Sequence, residues 1–200
     1  MTARIAGVIL AAGRSTRLGR PKQLLDLDGE PLLRHTIRNA LGSRLDEVIV
    51  VLGAKAAEID GAVGYLGQRT VVNPSYEEGQ STSMRLGLES IHPEAEAVLF
   101  LLGDQPGVRP ALIDALLARY DDLRAPIVQG RFQGKPGNPV LIARSLFPKL
   151  AAIEGDEGAR SVVAAHRGEV SFVDLPEISV PQDVDTDEDY QALLKTWANA

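Results

Sequence analysis

Short apolar runs recur along the chain, separated by longer stretches in which apolar residues return every three or four positions. Ile5–Ala11, Val48–Leu52, Thr70–Val72, Val98–Leu102, Ile127–Gln129, Val140–Ile142 and Val170–Val173 read as strands. Most are nearly continuous in Val, Ile and Leu, the pattern of strands buried on both faces. Between them the spacing predicts helices. Pro31 to Leu41 aligns Leu33, Ile37 and Leu41 on one face, with Pro31 at a first helical position. Ser81 or Ser83 is expected to cap a helix through Ile91, and Pro110 to open another through Tyr120. Asp156 or Gly158 precedes a helix over Arg160–His166, and Thr186 precedes one reaching Trp197. Strands alternating with helices predict right-handed βαβ units in an α/β, three-layer α/β/α Rossmann-like sandwich. The Gly-rich stretch between Ile127 and Val140 has no room for a helix, so one antiparallel strand is expected in a mostly parallel sheet. With no repeat, low-complexity segment or linker, residues 1–200 read as a single domain.

Composition narrows the chemistry. Hydrophobic residues make up 44% and charged residues 24%, enough for a real core and unlike a disordered chain. There is no Cys, which removes disulfides, thiolate metal sites and cysteine nucleophiles together. Three His are too few for a His-rich metal centre; His35 and His92 read as surface residues and His166 as a helix C-terminus. The net charge of −6 argues against a nucleic-acid partner, so any anion site must be a local patch. Arg4 followed by Ile5 to Ala12 imitates a secretory signal, but the run is short and meets Arg14 and Arg17 at once, so it reads as a strand. No other apolar run approaches the ~20 residues of a membrane span. A cytoplasmic protein without a membrane partner is expected.

In open α/β sheets ligands bind beyond the carboxyl ends of the strands. After the first strand comes Leu10-Ala11-Ala12-Gly13-Arg14-Ser15-Thr16-Arg17-Leu18-Gly19-Arg20-Pro21-Lys22, a loop with two glycines, four cations and no acid. Glycines let backbone N–H groups surround an anion, Arg supplies forked donors, and Lys a compact charge. Like charges this dense call for an anion, and a polyphosphate fits. The spacing is not that of a P-loop, since Arg20-Pro21 intervene between Gly19 and Lys22, nor of a dinucleotide fingerprint, since Arg14-Ser15 follow Gly13. Gly103-Asp104-Gln105-Pro106 ends the strand Val98–Leu102, where Pro106 forces a turn. The residues alone leave Asp104 two roles, a Mg²⁺ ligand opposite the basic loop or an Asx-turn. Asp183-Val184-Asp185-Thr186-Asp187-Glu188-Asp189 reads as a helix cap at Thr186 with acids on its dipole, and Asp185, just before the cap, has no helical role.

Residues 10–25, Leu-Ala-Ala-Gly-x-Ser-x-Arg-Leu-Gly-x-Pro-Lys-Gln-Leu-Leu, are similar to the signature of the MobA-like nucleotidyltransferases, most of all the molybdenum cofactor cytidylyltransferases (MocA-like). Leu18 stands where Met is commoner. Gly103-Asp104-Gln105-Pro106 and Asp183-x-Asp185-Thr186 resemble the family's metal-binding segments. Asn73-Pro74, Gly79-Gln80-Ser81-Thr82-Ser83 and Gly155-Asp156-Glu157-Gly158-Ala159-Arg160 match more loosely, and Gly137-Asn138-Pro139 resembles a Gly-His-Pro motif with Asn138 in place of His.

The resemblance implies a GT-A-like fold and Mg²⁺ held by Asp104 and Asp185. It implies a nucleoside triphosphate over Leu10, Ala11, Ala12, Gly13, Arg14, Ser15, Lys22, Asn73, Ser81, Ser83, Gly103 and Asp104. Arg17, Lys22 and Asp104 take catalytic roles, and Gly137, Asn138 and Pro139 lie near the acceptor. Ala12 goes with the cytidylyl branch, so the implied reaction moves CMP from CTP to the phosphate of the molybdenum cofactor, a molybdopterin, with docking to a molybdoenzyme or its chaperone. Guanylyl or sugar-1-phosphate transfer, an oxidoreductase like the similar nicotine blue oxidoreductases, and a non-catalytic nucleotide-binding module are the alternatives.

Overall fold

The computed structural model describes residues 3–175 and 183–197. β1 (Ile5–Ala11), β4 (Glu47–Leu52), β5 (Arg69–Val72), β6 (Ala97–Leu102), β7 (Ile127–Phe132), β8 (Lys135–Ala143) and β9 (Val170–Leu175) form one sheet in the order β5-β4-β1-β6-β8-β7-β9. β8 runs antiparallel to both its neighbours, and the remaining pairings are parallel. The expected mostly parallel sheet with one antiparallel strand is therefore what forms. A two-stranded hairpin, β2 (Asp26–Leu27) and β3 (Glu30–Pro31), stands apart.

Successive strand residues point to opposite faces, so the continuous apolar runs feed two cores. Ile5, Ile9, Val48, Val50, Leu99 and Leu101 face α1 (Leu32–Leu41), α2 (Ala56–Val63) and α4 (Pro110–Leu123). Ala6, Val8, Ile49, Val51, Val98 and Phe100 face α3 (Gln80–Ser90), α5 (Phe147–Ala151) and α6 (Arg160–Ala165). Those are the three layers. A third cluster joins Leu18, Leu25, Leu27 and Leu32 to Val184 and Leu193, the latter on α7 (Asp187–Trp197). It ties the chain's end to the loop after β1. Among the described residues no helix is long and apolar enough to cross a membrane.

Several local expectations change. α1 starts at Leu32, because Pro31 is taken up by β3. α3 starts at Gln80 behind Gly79, so Ser81 and Ser83 lie inside the helix instead of capping it. Its end is closed from outside, Gln80 N donating to Asp156 Oδ1 (3.1 Å) and Ser81 N to the Gly155 carbonyl (3.0 Å). His35 is half-buried, with Nε2 2.7 Å from the Leu27 carbonyl and its ring edge-on to Trp197. His166 does close α6, its Nδ1 2.7 Å from Glu169.

Gly87 and Gly79 are among the glycines required by contact. At Gly87 a Cβ would lie 2.5 Å from Val8 Cγ1, where α3 rides on β1. Gly87→Ala gains about 1 kcal/mol of helix propensity but meets a stiff β-branched core side chain, at a cost of about 1–3 kcal/mol. A net loss of about 1 kcal/mol is expected in urea unfolding; a gain would mean that α3 can lift off β1 freely. At Gly79 φ is +112° and a Cβ would lie 2.5 Å from the Gly155 carbonyl carbon, which is backbone. Strain and clash, each about 1–3 kcal/mol, predict about 3 kcal/mol lost in Gly79→Ala by the same measurement.

Candidate active site

The carboxyl ends of β1 and β6 lie side by side, Leu10 pairing with Leu102. The chain leaving β1 and the chain leaving β6 therefore emerge on the same edge. The loop after β1 turns through Ser15, at φ +54°, and Gly19, at φ +66°. The Ser15 carbonyl accepts from the Leu18 and Gly19 amides, both at 3.2 Å, and Ser15 Oγ accepts from the Lys22 amide at 3.0 Å. Backbone N–H groups of residues 13–17 donate to no acceptor among the described residues, leaving a run of donors at the sheet edge. Such a run can act as an anion cradle.

Gln23, which sequence reasoning missed, holds this loop. It is 2% exposed and donates from Nε2 to the Ala11 (2.8 Å) and Gly13 (3.2 Å) carbonyls. The only sign of it in the chain is one amide between Lys22 and the apolar Leu24-Leu25.

The turn places Lys22 across the edge from Asp104. Lys22 Nζ lies 2.5 Å from Asp104 Oδ2 and 2.9 Å from Asp185 Oδ1, so one ammonium joins two carboxylates that are 81 positions apart in sequence. Desolvation alone would lower the Lys22 ammonium, but the two carboxylates, Asp104 foremost, outweigh it and hold it above its ordinary value. Burial pushes the Asp104 carboxyl up, against the pull of Lys22, with Asp183 adding to the rise. Asp185 is more exposed, and its hydrogen bond from Lys22 holds it below the usual carboxylate range.

A cleft of about 320 Å³ opens over these groups. Of the residues predicted to bind nucleotide, Leu10, Ala11, Ala12, Gly13, Lys22, Ser83, Gly103 and Asp104 line it, as does Asp185. Tyr76, Gln80, Asp156 and Asp183 line it as well, without having been predicted to bind nucleotide. The other predicted residues lie elsewhere. Arg17 is largely exposed and pairs with Asp185 at 2.9 Å, and Arg14 pairs with Glu77 at 3.1 Å. Asn73 is a buried brace, donating to Thr82 Oγ1 (2.8 Å) and Ser83 Oγ (2.9 Å) and accepting from the Ser75 amide (2.9 Å). Ser81 is 1% exposed, with its hydroxyl unpartnered. Gly137 and Asn138 line a separate cavity of about 540 Å³, and Pro139 is buried behind them.

A surface pair such as Arg17–Asp185 contributes little to the fold. Arg17→Ala is expected to leave stability within ~0.5 kcal/mol in urea unfolding, so any loss of turnover would belong to ligand handling.

The two carboxylates on Lys22 answer whether a divalent cation fits. Groups that converge within 2.5 and 2.9 Å of one cationic nitrogen present a two-oxygen site. A hard cation that keeps several waters and takes its remaining ligands from phosphate needs no more than that. No cluster of three His, Cys, Asp or Glu suited to a metal occurs among the described residues, so a cation here depends on its ligand's oxygens.

Known proteins resemble the chain over nearly its whole length. The chain is 33% identical over 202 residues to the nicotine blue oxidoreductase of Paenarthrobacter nicotinovorans, covering 95% of this chain and 96% of that protein. It superimposes on the crystal structure of a Mycobacterium tuberculosis Rv0371c homologue from Mycobacterium sp. strain JC1 with a TM-score of 0.90, at 34% identity, over 100% of this chain and 99% of that one. Rv0371c of M. tuberculosis H37Rv in complex with manganese aligns with a TM-score of 0.79 at 34% identity, over 98% and 100% of the chains. Residues 7–170, which run from β1 through the anion cradle and Asp104 to the start of β9, match the MobA-like NTP transferase domain, and the chain belongs to that family of nucleotidyltransferases.

Proposed function

We propose that the protein, acting as one domain in the cytoplasm, transfers CMP from CTP to the phosphate of a molybdopterin-type acceptor, the molybdenum cofactor, and releases pyrophosphate. The observation that carries the reading is Lys22 joined to both Asp104 and Asp185 beside a run of undonated amides. Carboxylates that can hold a cation and a cationic loop that can hold phosphates belong together in such a site. The resemblance to the cytidylyl branch, where Ala and not a second Gly precedes the position of Gly13, favours CTP over GTP; here that residue is Ala12.

The amides of residues 13–17 receive the β- and γ-phosphates, and Ser83 at the wall of the cleft meets the nucleoside. Asp104 and Asp185 would hold Mg²⁺, which when bound offsets charge on the phosphate oxygens. An acceptor phosphate oxygen attacks the α-phosphorus in line; the bond from that phosphorus to the bridging oxygen of the β-phosphate breaks, and pyrophosphate leaves with the electron pair. The attacking oxygen is already anionic, so no general base is needed, and the chain's work is positioning and charge neutralisation. Lys22, released from its carboxylates, offsets the charge growing between the α-phosphate and the leaving group. Arg17 can swing from exposed Asp185 to the same phosphates.

A hydride-transfer reading is favoured by one observation, the name of the Paenarthrobacter relative. Against it stands the spacing after Gly13, which is not a dinucleotide fingerprint. One set of assays decides between them. Pyrophosphate release is measured with CTP, GTP, ATP and UTP, each with and without molybdenum cofactor, beside NADPH oxidation with a dye acceptor. Release with CTP and the cofactor alone supports the proposal. Turnover only with another triphosphate or acceptor, or dye reduction without pyrophosphate release, overturns it.

A further inference from the structure

The cleft over Lys22 has two walls of different character. Leu24, two residues after Lys22, packs on the layer of α1, α2 and α4, whereas Met84, one turn beyond Gln80, packs in the layer of α3, α5 and α6. The space therefore straddles the sheet edge. Lys22, Asp104 and Asp185 converge on one side of it, and Tyr76, Gln80, Ser83 and Asp156 line the other. The second wall is unsuited to phosphate. The first three amides of α3 are already taken, by Asp156 Oδ1 (3.1 Å), the Gly155 carbonyl (3.0 Å) and the Gly79 carbonyl (3.3 Å), so the helix start has no donor to give an anion. What this wall presents is a carboxylate. Asp156 Oδ1 is spent on the Gln80 amide, while Oδ2 has no partner among the described residues. The loop carrying it is pinned a second time, because Gly158, at φ +56°, packs against the Gln80 side chain, where a Cβ would lie 2.7 Å from Oε1.

We infer that Asp156 reads the base of the nucleotide: its free carboxylate oxygen accepts from the amino group of cytosine and turns away uracil, whose matching position is a carbonyl. The inference deepens the nucleotidyl-transfer reading and rests on it for the nucleotide. Phosphates drawn to Lys22 and to the amides of residues 13–17 leave the nucleoside to the α3 wall. An ionised carboxylate can only accept hydrogen bonds. Cytosine offers it N4–H, the pairing by which acidic side chains read that base, whereas uracil O4 sets a lone pair against it. Tyr76, the one aromatic among the residues lining the cleft, joins the α3 wall to Ala12; a Cβ on Gly53 would lie 2.6 Å from Tyr76 Cβ and 2.8 Å from Ala12 Cβ. An aromatic ring and a fixed acceptor on one wall suit a flat base with an amino edge. Adenine and guanine also carry amino groups, so Asp156 separates amino-bearing bases from uracil and leaves the choice among them to the rest of the cleft.

The test is calorimetry of MgCTP and MgUTP binding to the full chain and to Asp156→Asn. Asn keeps Oδ1 for the Gln80 amide and replaces Oδ2 with a donor, so α3 retains its cap while the group offered to the base is inverted. Wild type should bind MgCTP at least about tenfold more tightly than MgUTP. In Asp156→Asn that ratio should fall to about one or below, with an unchanged midpoint of urea unfolding. Glu157→Gln, which removes an exposed acid outside the cleft, should keep the wild-type ratio. Magnesium tripolyphosphate, which has no base, should bind wild type and Asp156→Asn within about twofold of each other. Equal or reversed binding of the two nucleotides by wild type, a ratio untouched by Asp156→Asn, the same change in Glu157→Gln, or a tripolyphosphate affinity that moves with the ratio overturns the inference. Failure of wild type to bind either nucleotide would end the nucleotidyl-transfer reading as well, whereas equal binding of both leaves that reading standing.

Discussion

Lys22→Met is expected to slow nucleotidyl transfer by about 10²–10³, the usual consequence of removing one preorganised charge donor, while tightening Mn²⁺ binding to the nucleotide-free protein. The two effects have opposite signs because Lys22 does two things. In the free protein its ammonium sits on Asp104 and Asp185 and must be displaced before a cation can use those oxygens. Met fills a similar volume without charge, so Asp104 is left without its cation while Asp185 keeps Arg17. Leaving a buried carboxylate without its partner costs several kcal/mol when the charge persists, and about 3 kcal/mol is a fair expectation for the metal-free variant. A divalent cation relieves this, so the melting temperature of Lys22→Met should rise more on adding Mn²⁺ than that of the wild type. Steady-state kinetics and metal titration followed by melting check the two halves. A variant that loses activity but binds Mn²⁺ no better than wild type would show that Lys22 does not compete for the metal oxygens.

The fold was largely legible because its signal is carried by runs that no other element produces. Ile5–Ala11 has the same bounds in sequence and structure, since Arg4 and Gly13 bracket an unbroken apolar segment. β8 was visible only as Val140–Ile142 and extends back to Lys135, because its first half is polar and pairs with β7 beside a register shift at Gln129/Gly130. α2 was not visible. Ala56–Val63 buries only Ile59 and Val63, too little periodicity to distinguish a short helix from a loop. The hairpin at Asp28-Gly29, with φ of +57° and +80°, carries the Asp-Gly signal of a tight turn but joins strands of two residues each.

The site divides along a different line. Charged and glycine-rich positions announced Lys22, Asp104 and Asp185, and the topology brings those three together. Hydroxyls and amides did not declare their direction. Ser81 and Asn73 occur in the same polar string as Ser83, yet of these three only Ser83 reaches the cleft: α3 begins one residue before Ser81 and turns it inward, while Asn73, just after β5, is spent bracing Thr82 and Ser83. Side-chain direction on a helix depends on where it starts, and that start is set by Gly79 against Gly155, a contact 76 residues away in sequence.

Asp104→Asn separates chemistry from folding most sharply. Asp104 is 7% exposed, and its substitution removes an oxygen of the proposed metal site while leaving shape and hydrogen-bonding capacity nearly intact. Lys22 is not stranded, because Asp185 remains 2.9 Å away and its own side chain keeps 21% of its exposure. Burial already disfavours the charged form of Asp104, so a neutral amide loses little there. Stability is therefore expected to change by no more than about 1 kcal/mol, against the 3–5 kcal/mol of a buried pair broken with no second partner. Turnover should fall by about 10³, an effect of the size seen when electrostatic stabilisation of a transition state is removed. Wild-type activity should also decline on acidification at a pH above the ordinary carboxylate value of about 3.9, because Asp104 takes up a proton more readily than a free Asp and a protonated carboxyl cannot hold the cation. That acid limb should be missing from the residual activity of Asp104→Asn. Urea unfolding and the pH dependence of kcat/KM measure the two sides. A variant that unfolds several kcal/mol more easily, or that keeps both its rate and its acid limb, would remove Asp104 from the reacting centre.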